Sequence, residues 1–182
     1  MPKNQQRSLV QQAMGPAFEQ LPAAVQRFHR LNGQHTLHGW VETAAPASWI
    51  AKFLAWCTGT PQVASRGAIR FELDARPDVE TWTRHFPGRS MSSQMRLQPG
   101  RVVEYLGAAC LTSLLQRAQD HLALRLQRMH FCGIPCPAWL RPSLITRESG
   151  SHGQLHFEEQ AALPWVGVVA RYRGHLNLGQ AK

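Results

Sequence analysis

The sequence contains no apolar run of the roughly 18 residues that a membrane-crossing helix requires. Its opening, MPKNQQRSLVQQAMG, has no continuous apolar core, so no secretory signal is expected. The four cysteines, Cys57, Cys110, Cys132 and Cys136, are too few and too scattered over 182 residues for a disulfide scaffold. These absences together lead to the expectation of a reduced, cytoplasmic protein.

Lysine is scarce as well, occurring only at Lys3, Lys52 and Lys182, so arginine carries nearly all of the net charge of +9. The arginines come singly and no basic run forms. That excludes the continuous stripe a nucleic-acid-binding face needs, and the charge is read as a solvated arginine-coated surface. Nucleic acid is not expected as a partner. No G-x-G-x-x-G occurs, which removes a dinucleotide-binding turn, and no G-x-S-x-G occurs, which removes a nucleophile elbow. No segment repeats at a period of 20 to 50 residues.

One metal pattern needs weighing. His130, Cys132 and Cys136 form H-x-C-x-x-x-C, with His35 and His38 as further donors. Zinc sites favour C-x2-C or C-x4-C pairs, and Pro135 and Pro137 constrain this loop. Neither a metal nor a cofactor is expected.

What is present is a hydrophobic fraction of 43%, enough for one globular domain that buries roughly 70% of its unfolded surface. Residues 1–13 read as a flexible polar leader, 14–178 as a single β-rich domain and 179–182 as a tail. Within the domain, Phe18, Leu21, Val25 and Phe28 recur at helical spacing, and Pro22 suits a first turn, predicting a helix over Pro22–Leu31. Gln34–Thr43 alternates as a strand. Trp49, Ile50, Phe53, Leu54, Trp56 and Cys57 crowd one short segment that is apolar on nearly every face. Burial is its first expectation; covering a cavity mouth, or touching a membrane or partner, are the alternatives.

Strands then follow at about ten-residue intervals, broken at Arg76-Pro77-Asp78, Pro87-Gly88 and Pro99-Gly100. Ala108–Gln119 reads as a strand from its neighbours. Cys132–Pro142 holds three prolines, so it must be a loop or crossing segment. Ser149–Leu176 closes the chain as a hairpin. The fold class is α+β and mainly β: a strongly curved antiparallel sheet or partly closed barrel with two short helices in the N-terminal half.

Four stretches, MGPAFEQLPAAVQRFHRLNG, ETWTRHFPGRSMSSQ, GIPCPAWLRP and LPWVGVVARYRGHL, resemble the bacterial domain of unknown function 4166 family. The likeness runs from Met14 to Leu176. It departs from the family pattern at His175, where tryptophan is usual, and at Cys136, where an aliphatic residue is usual. The resemblance implies a domain found alone or behind a saccharopine-dehydrogenase-like reductase, and hence a reductase as a partner. It implies no catalytic residues.

Candidate site residues come from strand parity. Glu80, Trp82, Arg84 and Phe86 share one strand face, mixing aromatics with a charge pair. A dry core would not want the charges and an exposed surface would not need the rings, whereas a ligand cavity tolerates both. In the closing hairpin, Val168, Ala170 and Tyr172 oppose Arg171, Arg173 and His175, and a one-residue slip exchanges the sets. If the arginine face points inward, Arg173 pairs with Glu80 or grips an anionic head group.

The leading reading is a non-enzymatic module for a small amphipathic or lipid-like ligand. Trp40, Trp82, Phe86 and Phe157 would hold the apolar part, Glu80 and Tyr172 would line the site, and Arg84 or Arg173 would engage the polar end. Acid–base pairs such as Glu80 with Arg84, or Glu42 with His38, lack a supporting third group, so an enzymatic role is left open. Two alternatives stand beside it. One is an enzyme or accessory domain working with the reductase. The other is a membrane-surface or protein-interaction domain using Trp49, Phe53 and Trp56.

Overall fold

The computed structural model describes residues 7–180. Residues 1–6 of the expected leader and 181–182 of the expected tail lie outside that range. Strand alternation dominates the chain, as the sequence pattern predicts. In order come β1 (Gly33–Thr43), β2 (Ser65–Ala75), β3 (Val79–Phe86), β4 (Arg89–Gln98), β5 (Arg101–Leu106) and β6 (Ala109–Ala118). After them come β7 (His121–Phe131), the two-residue β8 (Ile134–Pro135), β9 (Ser143–Ser151), β10 (Gln154–Leu163) and β11 (Gly167–Asn177).

Each strand pairs antiparallel with its neighbours. β6 pairs with β7, β7 with β9 and β11 with β1, so ten strands close into a barrel with β8 as an extra edge piece on β7. The expected curved sheet is thus a closed barrel, and closure removes the unpaired edges an open sheet would expose. The tight turns follow from residue choice. In Pro87-Gly88 the glycine takes φ +81°, which joins β3 to β4 through two residues. Gly174 marks a close approach: a Cβ there would fall 2.1 Å from the Trp40 carbonyl oxygen across the β1–β11 seam. The β7–β9 seam is short, held at Leu122↔Glu148 and Ala123↔Arg147. Beyond it the two strands connect through the proline-rich segment 132–142, anchored by Arg141 Nη1 donating to the Gln127 carbonyl at 2.6 Å.

Three α-helices complete the fold, one more than expected. Helix α1 (Leu9–Met14) lies where the sequence reads as polar leader. Ser8 caps it through a capping box with Gln11, and Leu9 and Val10 are buried in the barrel core. Helix α2 (Ala23–His29), within the expected Pro22–Leu31, buries Val25, Phe28 and His29. Together they plug one end of the barrel: Gln12 bonds the Pro77 carbonyl, and Ala24 lies against Gly150. Helix α3 (Trp49–Thr58) sits at the other end. Ser48 caps it and also donates to the Val166 carbonyl, while Ala47 N–H bonds Val168 O. Only its small residues Ala51 and Ala55 are buried, against Val169. The expectation that this apolar segment is buried is therefore corrected. Its rings, Trp49, Phe53 and Trp56, point away from the barrel, while Ala51 and Ala55, spaced one turn apart, fit closely against the strands and Leu54 packs beside them.

Candidate functional site

Strand β3 carries the interior chemistry. Its residues alternate strictly in burial, placing Glu80, Trp82, Arg84 and Phe86 inside and Thr81, Thr83 and His85 outside. β10 adds Glu159, and β11 turns Ala170 and Tyr172 inward. The arginine face of β11 therefore points out.

Arg84 is the centre of this interior. Its Nη1 donates to Ser93 Oγ at 3.3 Å and its Nη2 to Glu159 Oε1 at 3.4 Å. The guanidinium also lies over Trp82 at 5.0 Å and Phe71 at 5.7 Å. Burial disfavours its charge, but Tyr172 and Glu159 beside it outweigh that, and its pKa is raised above the ordinary arginine value. Tyr172 Oη donates to Glu159 Oε2. Burial raises the Glu159 carboxyl above the usual carboxylate range, Arg84 partly opposing and Glu104 adding to the effect. Burial likewise raises the Tyr172 phenol well above its ordinary value.

Towards the helical plug lies a second polar group. His29 Nε2 meets Glu148 Oε2 at 2.6 Å, both side chains buried. Glu80 accepts from Trp82 Nε1–H at 3.1 Å, and the Phe28, Phe71 and Trp82 rings pack edge to face around it. Burial opposes a charged His29, but Glu148 and then Glu80 more than compensate, and its pKa is raised. Burial raises Glu80 as well.

These shifts carry a pH prediction. His29, Glu80 and Glu159 all have folded pKa values above their unfolded ones, so the folded chain holds more protons. Stability from His29 is present in full below its unfolded pKa of about 6.5 and is lost as pH rises through the folded value. The carboxyls act in the same direction from about pH 4.5 upward. Urea unfolding midpoints are expected to fall between about pH 5.5 and 8, and His29→Gln should remove the part of that fall above about pH 6.5. A midpoint that rises over this interval would contradict the assignment.

Three interior spaces share walls. The mouth, about 290 Å³, is lined almost wholly by apolar side chains such as Leu54, Met129, Phe131 and Leu163. Leu106, Leu111, Leu144, Ala161 and Ala170 line both the mouth and a middle chamber of about 80 Å³. Glu104, Leu124, Thr146 and Glu159 line both that chamber and a deep cleft of about 40 Å³, which ends on Arg84, Glu148 and His29. The three spaces thus succeed one another from an apolar entrance to a polar floor, narrowing inward.

Of the residues singled out in the sequence, Glu80, Trp82, Arg84, Phe86 and Tyr172 are buried inside the barrel. Phe157 is inside too, against Tyr172 at 6.3 Å between centroids. Trp40 and Arg173 are not. Both lie on the outer wall, where Arg173 and Arg66 bind Glu42 at 2.9 and 2.6 Å. The two arginines hold the half-buried Glu42 carboxyl below its usual range. The expected pairings are corrected with them: Arg173 does not reach Glu80, Arg84 pairs with Glu159 rather than Glu80, and Glu42 takes arginines rather than His38. Sequence reasoning missed His29, Glu104, Glu148 and Glu159 as site residues. Glu159 was within reach, because it alternates in phase with Leu155 and Phe157. Among the described residues, no three His, Cys, Asp or Glu side chains are placed to share a metal ion, and no helix is long and apolar enough to cross a membrane.

Compared with known proteins, residues 21–176 match a family described as a domain of unknown function, DUF4166. No curated protein matches. Among solved structures, the crystal structure of Rv2717c from M. tuberculosis aligns at 12% identity and a TM-score of 0.45, covering 86% of this chain and 98% of that one.

Proposed function

Since the chain belongs to the DUF4166 family, whose description carries no activity, we propose from the barrel interior that it binds a small amphipathic molecule. One observation carries this reading: the adjoining interior spaces, apolar along Leu106, Leu111 and Leu144 and polar where Glu104, Glu159 and Arg84 meet. An apolar chain fills the upper part, where burial contributes about 25 cal/mol per Å². The polar end meets the floor, whose hydrogen bonds fix its depth and orientation.

The floor also sets the chemistry of that end. Arg84 is already engaged by Ser93 and Glu159, and Glu104 faces the same space. Arg84 meets two carboxyls there, Glu104 and Glu159, and His29 is already paired with Glu148, so in either protonation state of Glu159 the floor carries no surplus of positive charge. In either state a ligand carboxylate or phosphate would bring uncompensated negative charge into a poorly solvated site. A hydroxyl, amide or amine end fits instead, donating to Glu104 or Glu159. This departs from the anionic head group considered for Arg84 and Arg173, since Arg173 stands outside and Arg84 is occupied.

The test is displacement of the neutral fluorophore N-phenyl-1-naphthylamine by matched 12-carbon amphiphiles below their micelle concentrations. Dodecanol or dodecylamine should displace it at concentrations lower by about tenfold or more than dodecanoate, the ratio that about 1.4 kcal/mol of head-group preference produces. Failure of the barrel to take up the fluorophore would sink the binding reading. Strongest displacement by dodecanoate would sink the head-group assignment alone.

A further inference from the structure

Connections between successive strands alternate between the two ends of an up-and-down barrel. The end opposite the helical plug is built from residues 44–64, 87–88, 107–108, 132–142 and 164–166. These segments touch one another: Ala108 N–H bonds the Cys57 carbonyl, Cys132 N–H bonds Ala108 O, and Arg89 Nε bonds Gly59 O. Eleven large apolar side chains are exposed among the described residues, and nine of them lie in these connections; the other two are Trp40 and Tyr105. Four of the nine are tryptophans, Trp49, Trp56, Trp139 and Trp165.

Packing does not account for them. In α3, Trp49, Phe53 and Trp56 share the face opposite Ala51 and Ala55, so the large rings meet water while the small residues meet the protein. Trp49 is 80% exposed. Trp165 is 86% exposed and sits at φ +60°, a backbone region that bulky residues rarely adopt. Its ring leans on Trp139 at 6.4 Å, joining two of the connections. The charges complete the pattern. These five segments contain Lys52 and Arg141 and neither aspartate nor glutamate. Lys52 is exposed and lies on the same face of α3 as the rings. The outer wall of the barrel, by contrast, is laced with ion pairs such as Arg66–Glu42 and Arg70–Glu72. The apolar surface is concentrated at the tip.

We infer that this end of the barrel docks onto an anionic lipid bilayer, its tryptophans in the head-group layer and the cavity mouth turned to the acyl chains. Tryptophan favours that boundary because the ring is apolar and its N–H is wet. Lys52, exposed and without acidic residues in these segments, suits an anionic surface, while Arg141 is turned to the Gln127 carbonyl. The geometry favours a bilayer over a protein, since a protein seated on a patch that surrounds the mouth would seal it, whereas a bilayer leaves it open to amphipathic molecules. The choice of a bilayer over a protein rests on the proposed binding function, whereas the exposed tryptophans and the charge pattern do not.

Full-length protein floated with vesicles tests it. Vesicles of phosphatidylcholine and phosphatidylglycerol in equal parts should recover the protein, and recovery should weaken in roughly 0.5 M salt. Trp49→Ser/Trp56→Ser should weaken binding by about tenfold or more. Lys52→Glu should weaken it by about tenfold on the anionic vesicles and leave any binding to pure phosphatidylcholine unchanged. Trp40→Ser, on the outer wall, should float as wild type. So should Ala161→Phe, which fills the passage below the mouth, so a failure of the ligand reading leaves this outcome intact. Should the double variant fold poorly, quenching of wild-type tryptophan fluorescence by brominated lipids answers the same question. Absence of flotation, or flotation unchanged in the double variant, overturns the inference. It is equally overturned by a dimer in sedimentation that the double variant dissolves while vesicles recover nothing, which assigns the surface to a second copy.

Discussion

Arg84→Met is expected to destabilise the barrel by about 2–3 kcal/mol, below the cost of breaking a fully buried ion pair because Glu159 keeps about a quarter of its side chain exposed. The paired loss, Arg84→Met with Glu159→Leu, should recover most of that. The reasoning starts from position. Arg84 is among the buried residues, stacked over Trp82 and Phe71, with Ser93 and Glu159 as its acceptors. Methionine keeps much of the stem packing and removes the charge. Glu159 would then retain the Tyr172 hydroxyl as its donor while facing Glu104. Its carboxyl, already raised by burial, would rise further, so the variant would hold an extra proton when folded. The deficit should therefore be smaller at pH 5 than at pH 8. Urea unfolding of both variants at the two pH values reads all of this. A single variant within about 1 kcal/mol of wild type, or a double variant as unstable as the single, would show that solvent in the cavity already satisfies Glu159.

How far this site is legible in the sequence depends on how local each feature is. Strand parity places Glu80, Trp82, Arg84 and Phe86 on one face, and the structure turns that face inward. The same parity, applied to β1, puts Trp40 opposite the buried Leu37 and Val41, so its place on the outer wall was readable too. For the closing hairpin, parity gives two sets and no choice between them; closure against β1 makes the choice, with Tyr172 in and Arg173 out. Helix α1 escapes because its buried pair, Leu9 and Val10, is too short to show a period among glutamines. Helix α3 is apolar all round, so no moment tells which side meets the barrel. The polar partnerships lie furthest from view. Arg84 and Glu159 are 75 residues apart, and His29 and Glu148 are 119 apart. Only the closed ring of strands and its helical plug bring them together.

Filling the neck of the cavity is the second large effect, and it acts on binding rather than on stability. Ala161 on β10 lies opposite Ala170 on β11 and Leu144 on β9, and all three line both the mouth and the middle chamber. Two alanines facing one another leave the passage open that larger side chains would close. Ala161 is only partly buried, whereas Ala170 is packed tightly, so space exists on the Ala161 side. Ala161→Phe should place a ring across the neck and reduce uptake of N-phenyl-1-naphthylamine by about tenfold or more, about 1.4 kcal/mol of binding free energy. Unfolding stability should change by less than about 1 kcal/mol, because the ring enters existing space; overpacking a filled core typically costs about 1–3 kcal/mol. Ala170→Phe serves as the contrast: it blocks the same passage from the packed side and should lose stability as well as uptake. Fluorophore titration beside urea unfolding separates the two outcomes. Undiminished uptake in Ala161→Phe would mean that the fluorophore binds outside the barrel, and the interior path would no longer be its site.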